Sequence, residues 1–132
     1  AADLKLEPAA RVVRIQRVVL ANGKPIAIIW NYLLPEIVPG IERRIAGMKS
    51  LYAFLESEYN VHIEAATDYI SAKAASAEEA EKLEVAAETP LLVVKRITYG
   101  RGRPIELAVL HVVADRYEYC VQSKDRPPGA KT

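Results

Sequence analysis

The sequence predicts an α+β domain built on one mainly antiparallel sheet with helices packed on it and an internal pseudo-two-fold duplication of hairpins. Three observations carry this. Val- and Ile-rich runs come in pairs joined by Gly-containing turns. The chain resembles itself at a fixed spacing. Two segments between the paired runs carry helix signatures.

Arg11–Leu20, RVVRIQRVVL, is rich in β-branched residues and short for a helix, so it reads as a strand. Ala21-Asn22-Gly23-Lys24 is a hairpin turn signal. Pro25–Leu34, with Trp30 and Tyr32, is the partner strand, and Pro25, having no amide donor, should open it or lie on an edge. Pro35–Gly47, punctuated by Pro39 and Gly40, predicts short helical turns. In Ser50–Tyr59 the apolar residues Leu51, Phe54 and Leu55 share one helix face, and Ser50 can cap the start. Val61–Ala75 has β-character through Tyr69–Ile70 before it turns alanine-rich. Ser76-Ala77-Glu78-Glu79 has the capping-box pattern and predicts a helix from Ala77 to about Glu84 that buries Ala80 and Leu83. Leu91–Tyr99 and Pro104–Val113 form a second pair of strands around the turn Gly100–Arg103, and Arg116–Val121 a last short strand. Residues 1–122 read as one domain and 123–132, with Pro127, Pro128 and Gly129, as a flexible tail.

Sliding the chain by 79 positions aligns residues 4–26 with 83–105 without a gap, with five identities in 23 pairs. Arg17 falls on Arg96, Gly23 on Gly102, and Pro25-Ile26 on Pro104-Ile105. Two similar hairpins in one sheet imply approximate two-fold symmetry, and a cleft between such halves is a place for a ligand.

Half the residues are apolar, enough for a packed core. Lys and Arg number 18 against 17 Asp and Glu, which lacks the basic excess of a nucleic-acid-binding module. A small-molecule or protein partner is favoured instead. The single Cys120 excludes an intramolecular disulfide and suits a reducing, cytoplasmic compartment. No apolar run approaches the roughly 20 residues of a membrane span. Asp3, Lys5 and Glu7 argue against a signal peptide, and the missing initiator Met suggests part of a longer chain. His62 and His111 have no Cys or carboxylate at metal-ligand spacing, so neither a metal nor a cofactor is expected. No nucleophile elbow, P-loop or dinucleotide fingerprint appears, and Arg43-Arg44 reads as a solvated helix face.

The ordered segments VVRIQRVVLANGKPIAI, NYLLPEIVPG, SLYAFLESEYNVHIEAATDYISA, ASAEEAEKLEV, PLLVVKRITYGRGRPIE and ADRYEY resemble the UTRA domain, the effector-binding half of GntR-type transcription regulators of the HutC branch. The likeness runs from about Leu4 to Tyr119. It implies a chorismate-lyase-like fold, a homodimer and a small-molecule pocket. It also implies a preceding winged helix-turn-helix domain that touches DNA, which this chain lacks, so that the domain itself contacts neither nucleic acid nor membrane.

The resemblance also points to site residues. Arg17 matches the arginine of the family's first-strand Arg-x-Arg pattern, where a guanidinium fork holds an anionic group. The second arginine is replaced by Val19, which weakens the case for a sugar phosphate. The alternative for Arg17 is a solvated strand residue, and its mate Arg96 reads as structural. Glu106 matches the Glu of Gly-x-Pro-x-Glu. Flanked by Leu107, Ala108, Val109 and Leu110, it needs a partner and reads as ligand-facing, with Ala108, Leu110 and Val112 on its face. Val112-Val113 stand where relatives carry Tyr-Arg, so the pocket is greasier. Where the family has a Glu before Tyr32 this chain has Ile29, and Asn31, on the same face, can supply the polar contact. Tyr69, with Thr67 and Ser71 on its face, is a further ligand-binding candidate on the middle strand, while Trp30 and Phe54 read as core. No catalytic residue is expected. A chorismate-lyase-like enzyme and a ligand-free dimerisation module are the rival readings.

Overall fold

The computed structural model describes residues 11–41, 51–118, 120 and 122. Five strands, β1 (Val13–Ala21), β2 (Lys24–Leu33), β3 (Ala65–Ala74), β4 (Pro90–Gly100) and β5 (Arg103–Val113), form one sheet in the order β1-β2-β5-β4-β3. Every neighbouring pair is antiparallel. The two expected hairpins, β1–β2 and β4–β5, lie side by side and are joined through β2 and β5.

Both hairpins close with two residues at positive φ: Asn22 (51°) with Gly23 (79°), and Arg101 (53°) with Gly102 (73°). This is the left-handed pair a two-residue hairpin turn needs to match the twist of its strands. Glycine in the second position meets that need without a Cβ penalty. Pro25 and Pro104 each follow the first residue of their strand.

Cross-strand partners share a face, so the register fixes which residues meet. Ile15, Asn31, Ala108, Arg96 and Asp68 lie in one row. Arg17, Ile29, Leu110, Val94 and Ile70 form the next row on the same side. Helix α1 (Leu51–Tyr59) buries Leu51 and Leu55. With Leu33, Val61 and the turns after β2 it forms the larger core cluster. Those turns are the expected short helical ones: Leu34 O accepts from the amides of Ile37 and Val38, at 3.1 and 3.2 Å.

Helix α2 (Ala77–Leu83) packs Ala80 and Leu83 with Ile28, Leu91 and Val113 in a second cluster. The residues sharing rows with Ile28 and Trp30 alternate with the Arg17 and Asn31 rows, so this cluster belongs to the other side of the sheet. The predicted capping box is present. The Ser76 side chain accepts from Glu79 N, the Glu79 side chain accepts from Ser76 N, and Glu84 ends the helix in the left-handed region at φ 56°.

The last short strand expected over Arg116–Val121 does not form in its described part. Ala114–Arg116 is a 3-10 turn that leaves the sheet, and Arg116 donates to Pro25 O (2.8 Å) and Leu83 O (3.2 Å). Those bonds satisfy carbonyls at the start of β2 and the end of α2. Edge strand β3 is longer than its β-character suggested and almost wholly exposed. The Ser50 cap, Arg43-Arg44, the segment before Arg11 and the tail 123–132 lie outside the described residues.

Candidate ligand-binding site

Arg17 on β1, Asn31 on β2 and Glu106 on β5 meet on one face. Arg17 Nη2 donates to Asn31 Oδ1 at 3.2 Å, and Asn31 Nδ2 donates to Glu106 Oε2 at 2.8 Å. Glu106 Oε1 accepts from Thr98 Oγ1 on β4 at 3.1 Å. Tyr52 Oη on α1 lies 2.6 Å from Thr98 Oγ1. Thr98 has one hydroxyl proton and directs it to the carboxylate, so Tyr52 is the donor in that contact. Four donors on four elements thus run towards one carboxylate.

Arg17, Asn31, Glu106 and Tyr52 line a recess of about 180 Å³ whose apolar wall includes Ile29, Leu51, Ala108 and Leu110, and Thr98 lies buried behind it. Glu106 and Thr98 are fully buried and Asn31 nearly so. Burial pushes the Glu106 carboxyl above the ordinary carboxylate range. The bonds from Asn31 and Thr98 and the charges of Arg96 and Arg17 oppose that shift without cancelling it. Arg17 Nε is buried and has no hydrogen-bond partner, the single such side-chain atom among the described residues. A buried donor left unpaired costs about 1–3 kcal/mol, and more when charged. An acceptor from outside the chain would remove that cost.

Arg96, read from the sequence as structural, also lines the recess while holding Asp68 on β3 in a two-pronged pair, at 2.6 and 2.9 Å. Tyr69 does not join this group. It pairs in register with Lys95, one residue off the Asp68–Arg96 row, and an offset of one residue reverses the face. It is 55% exposed, with Lys95 Nζ 5.3 Å from its ring centroid. Thr67 and Ser71 go with it.

Thr98 and Tyr52 were missed. Thr98 was within reach of sequence reasoning, because it alternates with Arg96 and its strand partner is Glu106. Tyr52 had no such signal, since nothing local says against which part of the sheet α1 packs.

A larger recess, about 320 Å³, lies on the other face beside Trp30 and His111. Its buried carboxylate, Glu79, is already engaged by groups of the chain. Glu79 takes Lys73 Nζ at 2.7 Å and Ser76 N at 3.0 Å, and its other oxygen meets His111 Nδ1. Burial pushes the Glu79 carboxyl up, but the hydrogen bonds from Lys73, Ser76 and His111 outweigh it and bring the pKa from 4.5 to about 2. This network fastens α2 to the sheet.

The sheet and the helices packed on it are those of a ligand-binding domain from a transcription regulator. The UTRA domain family model matches residues 1–118, and the chain belongs to that family, which supplies the ligand-binding C-terminal domains of GntR-family regulators. It is 33% identical over 123 residues to the HTH-type transcriptional regulator Rv0792c of Mycobacterium tuberculosis, a match covering 90% of this chain and 46% of that protein. The chain therefore spans about half the length of the curated relatives it matches. Among solved structures, it matches the ligand-binding domain of a protein assigned to the GntR family from Bordetella bronchiseptica. There the TM-score is 0.86 and the identity 33%, over 93% of this chain and 81% of that one. The C-terminal domain of the histidine utilization repressor from Pseudomonas syringae has the same fold, with TM-score 0.83 and 21% identity over 94% and 86% of the two chains. No helix among the described residues is long and apolar enough to cross a membrane.

Proposed function

We propose that this domain is a sensor that binds a small effector in the recess between Arg17 and Glu106 and carries out no chemistry of its own. The observation that carries this reading is the buried, unpartnered Arg17 Nε beside a buried Asn31–Glu106 pair in an open recess. The arrangement suits an effector with an anionic or strongly accepting group for Arg17 and a hydroxyl or amine for Glu106. With one arginine rather than two on β1, and with Ile29, Ala108 and Leu110 as neighbours, it favours a ligand less anionic than a sugar phosphate. In the whole protein the domain works as a cytoplasmic homodimer. The effector favours one dimer arrangement, and this alters operator affinity of an attached winged helix-turn-helix domain. Such coupling requires the ligand to bind the two arrangements with different affinities.

The test is a thermal-shift screen of the purified domain against sugar phosphates, free sugars, amino acids, histidine-degradation intermediates, nucleosides and aromatic acids. A ligand at about 100 times its Kd stabilises the fold by about 2.7 kcal/mol. Calorimetry on a hit should show Arg17→Ala weakening binding at least about tenfold with the fold intact, as loss of a charge-assisted contact implies. Equal affinity in variant and parent would remove Arg17 from the site. Turnover of chorismate, followed by absorbance, would make the recess catalytic instead.

A further inference from the structure

We propose that Tyr52, acting through Thr98, sets the hydrogen-bonding preference of the recess, and that a single proton on Glu106 reverses it from acceptor to donor. The proposal rests on reading the recess as the effector site and concerns what that site offers a ligand.

The argument is a count of protons along a fixed line. With Glu106 ionised, Thr98 Oγ1 donates to Oε1 and Tyr52 Oη donates to Thr98, at 3.1 and 2.6 Å. The Tyr52 proton is then committed, and Tyr52 presents only lone pairs to the recess that it lines. Let Glu106 take one proton from solvent. Oε2 accepts from the Asn31 amino group at 2.8 Å and serves it best as the carbonyl oxygen, so the proton goes to Oε1, where Thr98 Oγ1 can accept it. Asn31 cannot turn round to accept it, because Arg17 Nη2 donates to Asn31 Oδ1 and pins the amide. The new Oε1–H therefore donates to Thr98 Oγ1. Thr98 turns its own proton towards Tyr52 Oη, and the Tyr52 proton is released to the recess. One proton enters, no heavy atom needs to move, and the group facing the ligand changes sign.

The charged and titratable groups around Glu106 set where this happens. Arg17 on β1 and Arg96 on β4 favour the carboxylate, with Asp68 of β3 offsetting Arg96 through their ion pair. Asn31 on β2 and Thr98 on β4 donate to it, and α1 contributes Tyr52. Complete burial works against all of these and holds the carboxyl above its ordinary range.

Glutamine at position 106 should hold the reversed state permanently. Asn31 requires an acceptor on one side, so the amide oxygen faces Asn31 and the amide NH2 donates to Thr98. The experiment is 13C NMR of the ligand-free domain, with label in the glutamate carboxyl and the tyrosine ring carbon bearing oxygen, from about pH 4 to about pH 8, an interval that starts near the ordinary glutamate value and extends well above it. The Tyr52 signal should move with the same midpoint as that of Glu106. In Glu106→Gln it should sit at the low-pH position throughout. In Thr98→Val it should stop following Glu106, and Thr98→Ser should restore the link. A Tyr52 signal that stays flat while Glu106 titrates, or one equal in Glu106→Gln and parent at neutral pH, would overturn the proposal. No effector is present in these measurements, so an empty ligand screen and a failed relay are separate results.

Discussion

Glu79→Gln isolates the network that ties α2 to the sheet. Glutamine at this helix position keeps an oxygen for the Ser76 amide but loses the charge that holds Lys73 and His111. The Glu79 carboxyl has a pKa of about 2 in the fold against an ordinary 4.5. Its side chain is only 11% exposed, so little of the difference is lost to solvent. At about 1.4 kcal/mol per pH unit the ionised form contributes about 3 kcal/mol. Because the folded value is depressed, this stability is present above the ordinary carboxylate value and lost as pH falls through the folded value. Of it, about 2 kcal/mol should go between about pH 7 and about pH 3. Urea unfolding across that interval should place the variant about 2–3 kcal/mol below the parent near neutrality, with the gap closing as acid is added. Every other carboxylate titrates alike in both proteins and cancels in the difference. A gap that is constant with pH would refute the account, since the loss would then come from packing or capping rather than from charge.

Glu106 should show the opposite sign. Its folded carboxyl is raised, so its contribution is full below the ordinary carboxylate value and lost as pH rises through the folded value. Glu106→Gln, with no charge to bury, should melt above the parent at about pH 8, with the advantage shrinking towards about pH 4, as read by thermal denaturation at the two pH values. Gly100→Ala should destabilise by about 1–3 kcal/mol in the same assay. An added Cβ would sit 2.8 Å from His62 O, a backbone atom that cannot swing away, and 2.9 Å from Ile105 Cδ1.

The hairpins were legible because their information is local. Asn22-Gly23 and the Gly102 turn state their own backbone angles, and Ser76 with Glu79 states a helix start. Arg17, Asn31 and Glu106 could be named because alternation and the family likeness both point to them. Tyr69 could not be placed by the same means. Its strand has no buried side to mark the register, so nothing in the chain said which of two adjacent residues faces inwards. Tyr52 depends on how a helix docks across the sheet, and Arg96 shows that a residue can be tied into an ion pair and still form part of a recess. Arg116 opens the segment Arg116–Val121, which the sequence suggests as a last short strand. Its hydrogen bonds to carbonyls of Pro25 and Leu83 are long-range and leave no trace in sequence order.

The bond between Asn31 and Glu106 joins residues 75 positions apart and crosses the seam where β2 meets β5. In the sheet that seam is what holds one hairpin to the other. A ligand bridging Arg17 and Glu106 would act as a clasp across it. The signature of occupancy in amide exchange should then be slower opening along β2 and β5, with the two hairpin tips unchanged. On the proposed reading of the recess, sensing would amount to how firmly two halves of a sheet are kept from parting.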